Sequence, residues 1–309
     1  MELSSLIFGK VTLSQEKHTE ATKFAIVAEG GGQKGIFTAG VLDAFLDAEF
    51  WPFHLKVGVS AGAQNLAAYS ARARQYARRA IQQLTTTQPF FKPSKFFTGG
   101  NVIDLDWYFH QVRHDEKNRF PTAAENLDKT ANFYAVATNV DTLEPHYLHT
   151  WYDNMFEHLK ASSAIPFLYR PGVEVEGLRL MDGGVSDPLP VKWAYEQGAK
   201  RILLIRTMEA DDDGRMPIME RLKPIMRRVR QSPKMFDMYL HHQRCYAEAL
   251  DFINNPPEDV EILQIAPRGT LQSMVLGSSA HVLQYDYLVG KREGKRFLRQ
   301  WQQQLRQRA

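Results

Sequence analysis

"VGVSAGAQNL", residues 57–66, sets Ser60 midway between Gly58 and Gly62. Upstream, "FHLKVGV" (53–59) is a short apolar run of strand character. Downstream, "AGAQNLAAYSARARQYARRAIQQL" (61–84) carries a helical pattern, with Arg72, Arg74, Arg78 and Arg79 on its solvated face. A serine at a strand-to-helix bend, with glycines two residues to either side, fits a nucleophile elbow. The bend is too tight for flanking side chains and lifts the serine Oγ above the sheet. Glycine and serine also make ordinary turns, so the surroundings must decide.

On the N-terminal side, "KFAIVAEG" (23–30) is a second buried strand, and it runs into "EGGGQKG" (29–35). Apolar Ile36, Ala39, Leu42 and Leu46 then recur at helical spacing up to Glu49. Consecutive glycines tolerate positive φ, so their N–H groups can converge on one anion. The following helix N-terminus adds positive potential. Gly30-x-Gly32-x-x-Gly35 also satisfies a dinucleotide fingerprint. That site needs an acid at the end of the second strand to hold a ribose. This chain has "VGVSAG" there, so the nicotinamide reading lacks its second anchor. Backbone donors for an oxyanion suit a neighbouring serine elbow better.

Further along, "FYAVATNV" and "PHYLHT" flank "DTLE" as a hairpin, while "RILLIRT" (201–207) and "VEILQIAP" (260–267) are further strands. Strands alternating with helices predict an α/β sheet covered on both faces. The polar connector "MEADDDGRMP" (208–217) marks a boundary, followed by a mostly helical segment ending in a long helix from about 278 to 309. The expected division is therefore a catalytic domain over 22–207 and a mostly helical extension over 208–309.

The 309 residues, 44% hydrophobic and 24% charged, have the composition of a soluble globule. A net charge of +3 argues against a nucleic-acid partner. A single cysteine, Cys245, excludes an intrachain disulfide and a zinc site built on several cysteines. No stretch approaches the ~18 apolar residues of a membrane span, and the N-terminal "LSSLIFG" is not built as a signal peptide. A cytoplasmic location is expected.

A serine nucleophile needs a base. None of the ten histidines stands in a context that marks it as a partner. His146 and His149 fall on the hairpin, His241 and His242 in a helix beside Arg244, and His281 at the start of the last helix. "LRLMDGGVSDPLPV" (178–191) is more distinctive, because a strand-like run ends at Asp182 and Gly183 and Gly184 follow. Read alone, Asp-Gly is simply a turn.

Taken together, "EGGGQKG", "GVSAG" and "MDGG", in this order and spacing, resemble the patatin-like phospholipase family. "SSAIPFLYRP" (162–171) and "VSDPLPV" resemble further blocks of it, and the likeness spans about residues 22–207. Among its members, an uncharacterised bacterial branch with a helical C-terminal extension is the nearest in plan. The resemblance implies a three-layer α/β/α fold with a mainly parallel central sheet. It also implies a Ser–Asp dyad, Ser60 as nucleophile and Asp182 as base, with no metal or organic cofactor. The oxyanion hole would come from the backbone of Gly30, Gly31 and Gly32, chiefly the N–H groups of Gly31 and Gly32. The sequence departs from the family pattern at two positions. Lys34 replaces the usual arginine of the glycine loop, keeping charge without the guanidinium fork. Glu29 replaces the usual aspartate, and neither change removes a backbone donor.

The implied activity is hydrolysis of a lipid or other acyl ester; the alternative is a catalytically weak lipid-binding or regulatory protein that retains the site. Two basic runs bear on a membrane partner. One includes Arg215, Arg221, Lys223, Arg227, Arg228, Arg230 and Lys234; the other surrounds Phe297, Trp301 and Leu305 in the last helix. A basic amphipathic helix suits peripheral contact with the inner membrane surface. The simpler expectation is that its apolar stripe docks on the domain.

Overall fold

The computed structural model describes residues 23–121, 132–212 and 233–308. Its centre is an eight-stranded sheet with the path β5-β6-β3-β2-β1-β7-β8, β4 pairing with β3 beside it. Strands β1 (Phe24–Ala28), β2 (Leu55–Val59), β3 (Asn132–Asn139), β7 (Arg201–Ile205) and β8 (Glu261–Ile265) form a parallel block. Strands β4 (Pro145–His149), β5 (Val173–Val175) and β6 (Leu178–Asp182) pair antiparallel, and β3 with β4 is the expected hairpin.

β1 and β2 are buried along their whole length, as strands covered on both faces must be. Alternate residues of β1 enter opposite layers. Phe24, Ile26 and Ala28 face the cluster holding Phe37, Phe45 and Leu66, from helices α1 (Ile36–Asp47) and α2 (Ala61–Ser70). Ala25 and Val27 face Leu189, Ala194, Tyr246 and Ala249 on the other side. That second layer contains α6 (Val191–Glu196) and α7 (Pro233–Asn254). The result is the expected three-layer α/β/α arrangement. On the first side also lie α3 (Tyr76–Gln83), α4 (Leu105–His114) and α5 (Met155–Ser162).

The helix expected to run unbroken from 61 to 84 is interrupted between α2 and α3. Arg72 and Gln75 adopt left-handed φ values of 54° and 59°. The reason is tertiary: buried Asp43 on α1 accepts the Gln75 N–H at 2.8 Å and so starts α3 in a new direction. The arginines of this region are also less free than a solvated face implies. Arg74 donates to the Leu46 carbonyl, and Arg78 donates to Gln284 while its guanidinium covers the Tyr287 ring.

The C-terminal segment adds β8 to the sheet and then α8 (Ala280–Arg308), which lies along α1. Trp301 stacks on Phe24 and Phe297 packs on Phe45, so this part of the apolar stripe is docked, whereas Leu305 is exposed. The basic run from Arg215 to Arg230 lies outside the described residues. α1 and α8 approach so closely that a β-carbon on Gly40 would overlap the Tyr287 carbonyl, and one on Gly290 the Phe37 carbonyl.

That contact yields a test with a definite sign. In an exposed helix, glycine-to-alanine stabilises by up to about 1 kcal/mol. Gly290→Ala is expected to destabilise instead, by about 1–3 kcal/mol, because overpacking outweighs propensity. Urea unfolding with an unchanged m-value would measure it, and a higher midpoint would refute this account of the α1–α8 contact.

Candidate active site

Ser60 follows β2 directly and precedes α2, with φ 53° and ψ −124°. Such a backbone is strained for a residue with a β-carbon and persists only where its surroundings over-determine it. Here the flanking glycines provide that determination. A β-carbon on Gly58 would lie 2.6 Å from the Ala63 backbone, and one on Gly62 would overlap the Ala28 carbonyl. The Ser60 N–H is held by Ser162 Oγ at 2.9 Å. Ser162 comes from the "SSAIPFLYRP" block, whose contribution to the site is not apparent from sequence.

Asp182 reaches Ser60 through the register of β3. On one edge, β3 pairs with β4 from Tyr134 to Thr138. On the opposite edge it pairs first with β2, ending at Val136–Val59, and then with β6, beginning at Ala137–Asp182. Strands β2 and β6 thus meet end to end along a single edge, and their terminal residues become neighbours. The Ser60 hydroxyl lies close enough to the Asp182 carboxyl to favour its ionised form, and that carboxyl accepts the Gly184 N–H at 2.8 Å. Burial raises the Asp182 pKa from 3.8 to about 6, while the nearby Ser60 hydroxyl and the Gly184 N–H act in the opposite direction.

The glycine loop closes the other side. Gly31 and Gly32 have φ values of 130° and 56°. A β-carbon on Gly31 would approach Thr207 Oγ1 to 2.7 Å, and one on Gly32 would overlap the Val275 carbonyl. Buried Glu29 fixes the start of the loop. Its carboxyl accepts Thr207 N–H at 2.6 Å and Tyr246 O–H at 2.7 Å. Tyr246 in turn accepts from buried Arg206 at 2.8 Å. Gln33 donates its N–H to the Val275 carbonyl and accepts the Ser278 N–H on its side chain. The C-terminal segment therefore shapes this loop, which sequence reasoning did not anticipate.

Of the histidines, His242 on α7 lies near the pair. Its Nδ1–H donates to the Gly184 carbonyl at 2.6 Å, and burial lowers its pKa from the ordinary value. It bonds the residue that holds Asp182. His146 and His149 stand on β4, and His281 begins α8.

Ser60 and Gly32 both line a pocket with walls that include Phe90, Ile103, Leu105 and Leu276. A strained serine beside a buried carboxyl, a glycine loop on one rim and an apolar pocket in front form an arrangement suited to acyl transfer from an apolar substrate. Among the described residues, no group of three or more His, Cys, Asp or Glu is placed to hold a metal, and no helix is long and apolar enough to cross a membrane.

The patatin-like phospholipase model matches residues 26–195, and a model for a domain of unknown function, DUF6363, matches 232–306. The chain is 41% identical over 276 residues to "Uncharacterized protein YjjU" of Escherichia coli (strain K12), covering 89% of this chain and 77% of that protein. It is 28% identical over 199 residues to "Lysophospholipase nte1" of Aspergillus terreus, covering 61% of this chain but 12% of that protein. Among solved structures, VipD from Legionella pneumophila aligns with a TM-score of 0.48 at 13% identity, over 91% of this chain and 67% of that one.

The buried carboxyl makes a stability prediction. Its folded pKa, about 6, exceeds the reference 3.8, so the folded state holds the proton more tightly than the unfolded chain. Below 3.8 its burial carries no ionisation penalty, and stability is lost as the pH rises from 3.8 through about 6. Asp182→Asn stays neutral and should therefore raise the melting temperature at pH ~8 more than at pH ~4.5, an effect of up to about 3 kcal/mol. Equal shifts at both pH values in thermal unfolding would contradict the raised pKa.

Proposed function

The chain belongs to the patatin-like phospholipase family, and on that premise we propose that it is a serine acyl hydrolase cleaving carboxylic esters of lipids. The observation that carries this reading is the strained Ser60, set beside the buried Asp182 carboxyl and facing an apolar pocket that it shares with Gly32.

In the proposed reaction, Ser60 Oγ attacks the ester carbonyl carbon as its proton passes to Asp182. The carbonyl π pair becomes an oxyanion facing the glycine loop, Gly30 to Gly32, whose Gly31 and Gly32 amides are the principal donors. The carbonyl re-forms as the ester C–O bond breaks, and the leaving alkoxide takes the proton from Asp182. Water then attacks the acyl-enzyme, giving its proton to Asp182. Collapse releases the carboxylic acid, and the proton returns to Ser60. A carboxyl whose pKa is lifted towards neutrality by burial is a better base than a free aspartate. Losing one oxyanion donor typically costs about 2.7–4 kcal/mol of barrier.

The assignment is tested by labelling with a fluorophosphonate probe and mapping the adduct by mass spectrometry. The adduct is expected on Ser60 and absent from Ser60→Ala; labelling that survives this substitution would refute the elbow as nucleophile.

The base is tested by kinetics. Asp182→Asn should lower ester turnover by about 10²–10⁴-fold. Because Asp182 must be ionised to accept a proton, wild-type kcat/KM should fall as the pH drops through about 6. His242→Ala should lose less than about tenfold, since His242 holds the Gly184 carbonyl and lies outside the proposed proton path. A folded His242→Ala as inactive as Ser60→Ala would transfer the base role to that histidine.

A further inference from the structure

The pocket at Ser60 has a neighbour. A second pocket lies beside it, lined by Phe109, Val112, Phe120, Phe156 and other apolar side chains. Ala61, Gln64, Ile81 and Tyr108 line both chambers. Two members of this common wall are polar. The Tyr108 hydroxyl donates to Gln64 Oε1 at 2.7 Å, and Gln64 Nε2 donates to Ser163 Oγ at 2.9 Å. Gln64 stands one helical turn after Ser60, with its N–H on the Ser60 carbonyl. The pair therefore stands in the wall between the pocket at Ser60 and the second pocket.

An amide and a phenol are unusual wall material for an apolar cavity, and here they satisfy one another. Their bond lies in the wall that the two pockets share. A swing of Gln64 would open that wall and let an aliphatic chain lie through both. The displaced groups then lack partners in apolar surroundings, which disfavours that state by on the order of tenfold.

We propose that the Gln64–Tyr108 hydrogen bond is a partition that sets acyl-chain length, admitting short and medium chains freely and long chains only when it opens. The proposal rests on the ester-hydrolase reading above and names the substrate feature that the site discriminates.

Tyr108→Phe removes the hydroxyl and leaves the ring in place, and Gln64→Met keeps the side-chain length without the acceptor. Two readouts apply to each: kcat/KM on para-nitrophenyl butyrate and palmitate, and calorimetric binding of free octanoate and palmitate. Both variants should raise the palmitate-to-butyrate ratio of kcat/KM by about tenfold and tighten palmitate relative to octanoate by a similar factor. If ester hydrolysis persists while both ratios stay unmoved in folded variants, the partition is refuted and the hydrolase reading stands. If the two esters fall together with no change in relative fatty-acid affinity, Gln64 merely holds Ser163 beside the nucleophile, and the partition is again refuted. If the wild type hydrolyses neither ester, the hydrolase reading fails instead. The fatty-acid affinities then decide the partition alone: a shift towards palmitate upholds it, and no shift refutes it.

Discussion

Two adjacent pairings on one edge of β3, Val136 with Val59 and Ala137 with Asp182, place Ser60 and Asp182 side by side. Everything else at the site depends on that register. Side chains in a strand alternate between faces, so a one-residue slip of β6 would turn Asp182 to the opposite face of the sheet. The register is secured from several directions. Val136 and Ala137 are fully buried, and the Asp182 carbonyl accepts from Thr138 Oγ1 at 2.9 Å. A β-carbon on Gly183 would overlap the Val136 carbonyl, so the chain turning away from Asp182 lies flat against β3. The long-range order of the sheet thus becomes a short-range contact between Ser60 and Asp182.

A second set of contacts reaches the site from the C-terminal segment. Glu29 is buried where the glycine loop leaves β1, and its carboxyl joins Thr207 after β7 to Tyr246 of α7. Truncating a buried partner of this kind leaves a desolvated polar group and is usually more damaging than the net value of its bond suggests. On the opposite rim, the Val275 carbonyl takes the Gln33 N–H. Glycine at position 32 is thereby explained by two demands, a left-handed φ and a backbone pressed against its α-carbon. The loop conformation is held by the start of β1's exit, by β7 and by the segment before α8.

How much of this is legible in the sequence depends on the range of the interaction. The elbow can be read from five residues because its constraint is local: strand, serine and helix lie within one turn. The parallel strands can be read because both faces are buried, so β1 and β7 are apolar without alternation. The break between α2 and α3 cannot, since the group that captures Gln75 is Asp43 on another helix. Asp182 alone reads as a turn residue, and only the family resemblance singles it out; its neighbourhood with Ser60 arises from β3, which neither motif contains. The same reason hides Ser162, His242 and Tyr246, whose polar atoms meet the site across long loops of chain. Gln64 and Tyr108 are hidden most completely. One sits in the elbow helix and the other in α4, and nothing in either segment announces a common wall.

The site is also placed against the stability of the fold. Ser60 occupies a left-handed backbone that a residue with a β-carbon disfavours, and Asp182 is a carboxyl buried at the end of a strand. Each is of the order of 1–3 kcal/mol unfavourable in isolation. Neither can relax. The elbow is fixed because β1 and β2 pair up to Ala28–Gly58, and Gly62 then rests on the Ala28 carbonyl. The carboxyl is fixed because Gly184 N–H holds Asp182 Oδ1 and His242 holds the Gly184 carbonyl. Strain and desolvation are therefore concentrated where two rigid strand ends meet, and the surrounding sheet offsets them. A serine held away from its preferred backbone and a carboxyl lifted towards neutrality have the same origin, the meeting of β2 and β6 on one edge of β3.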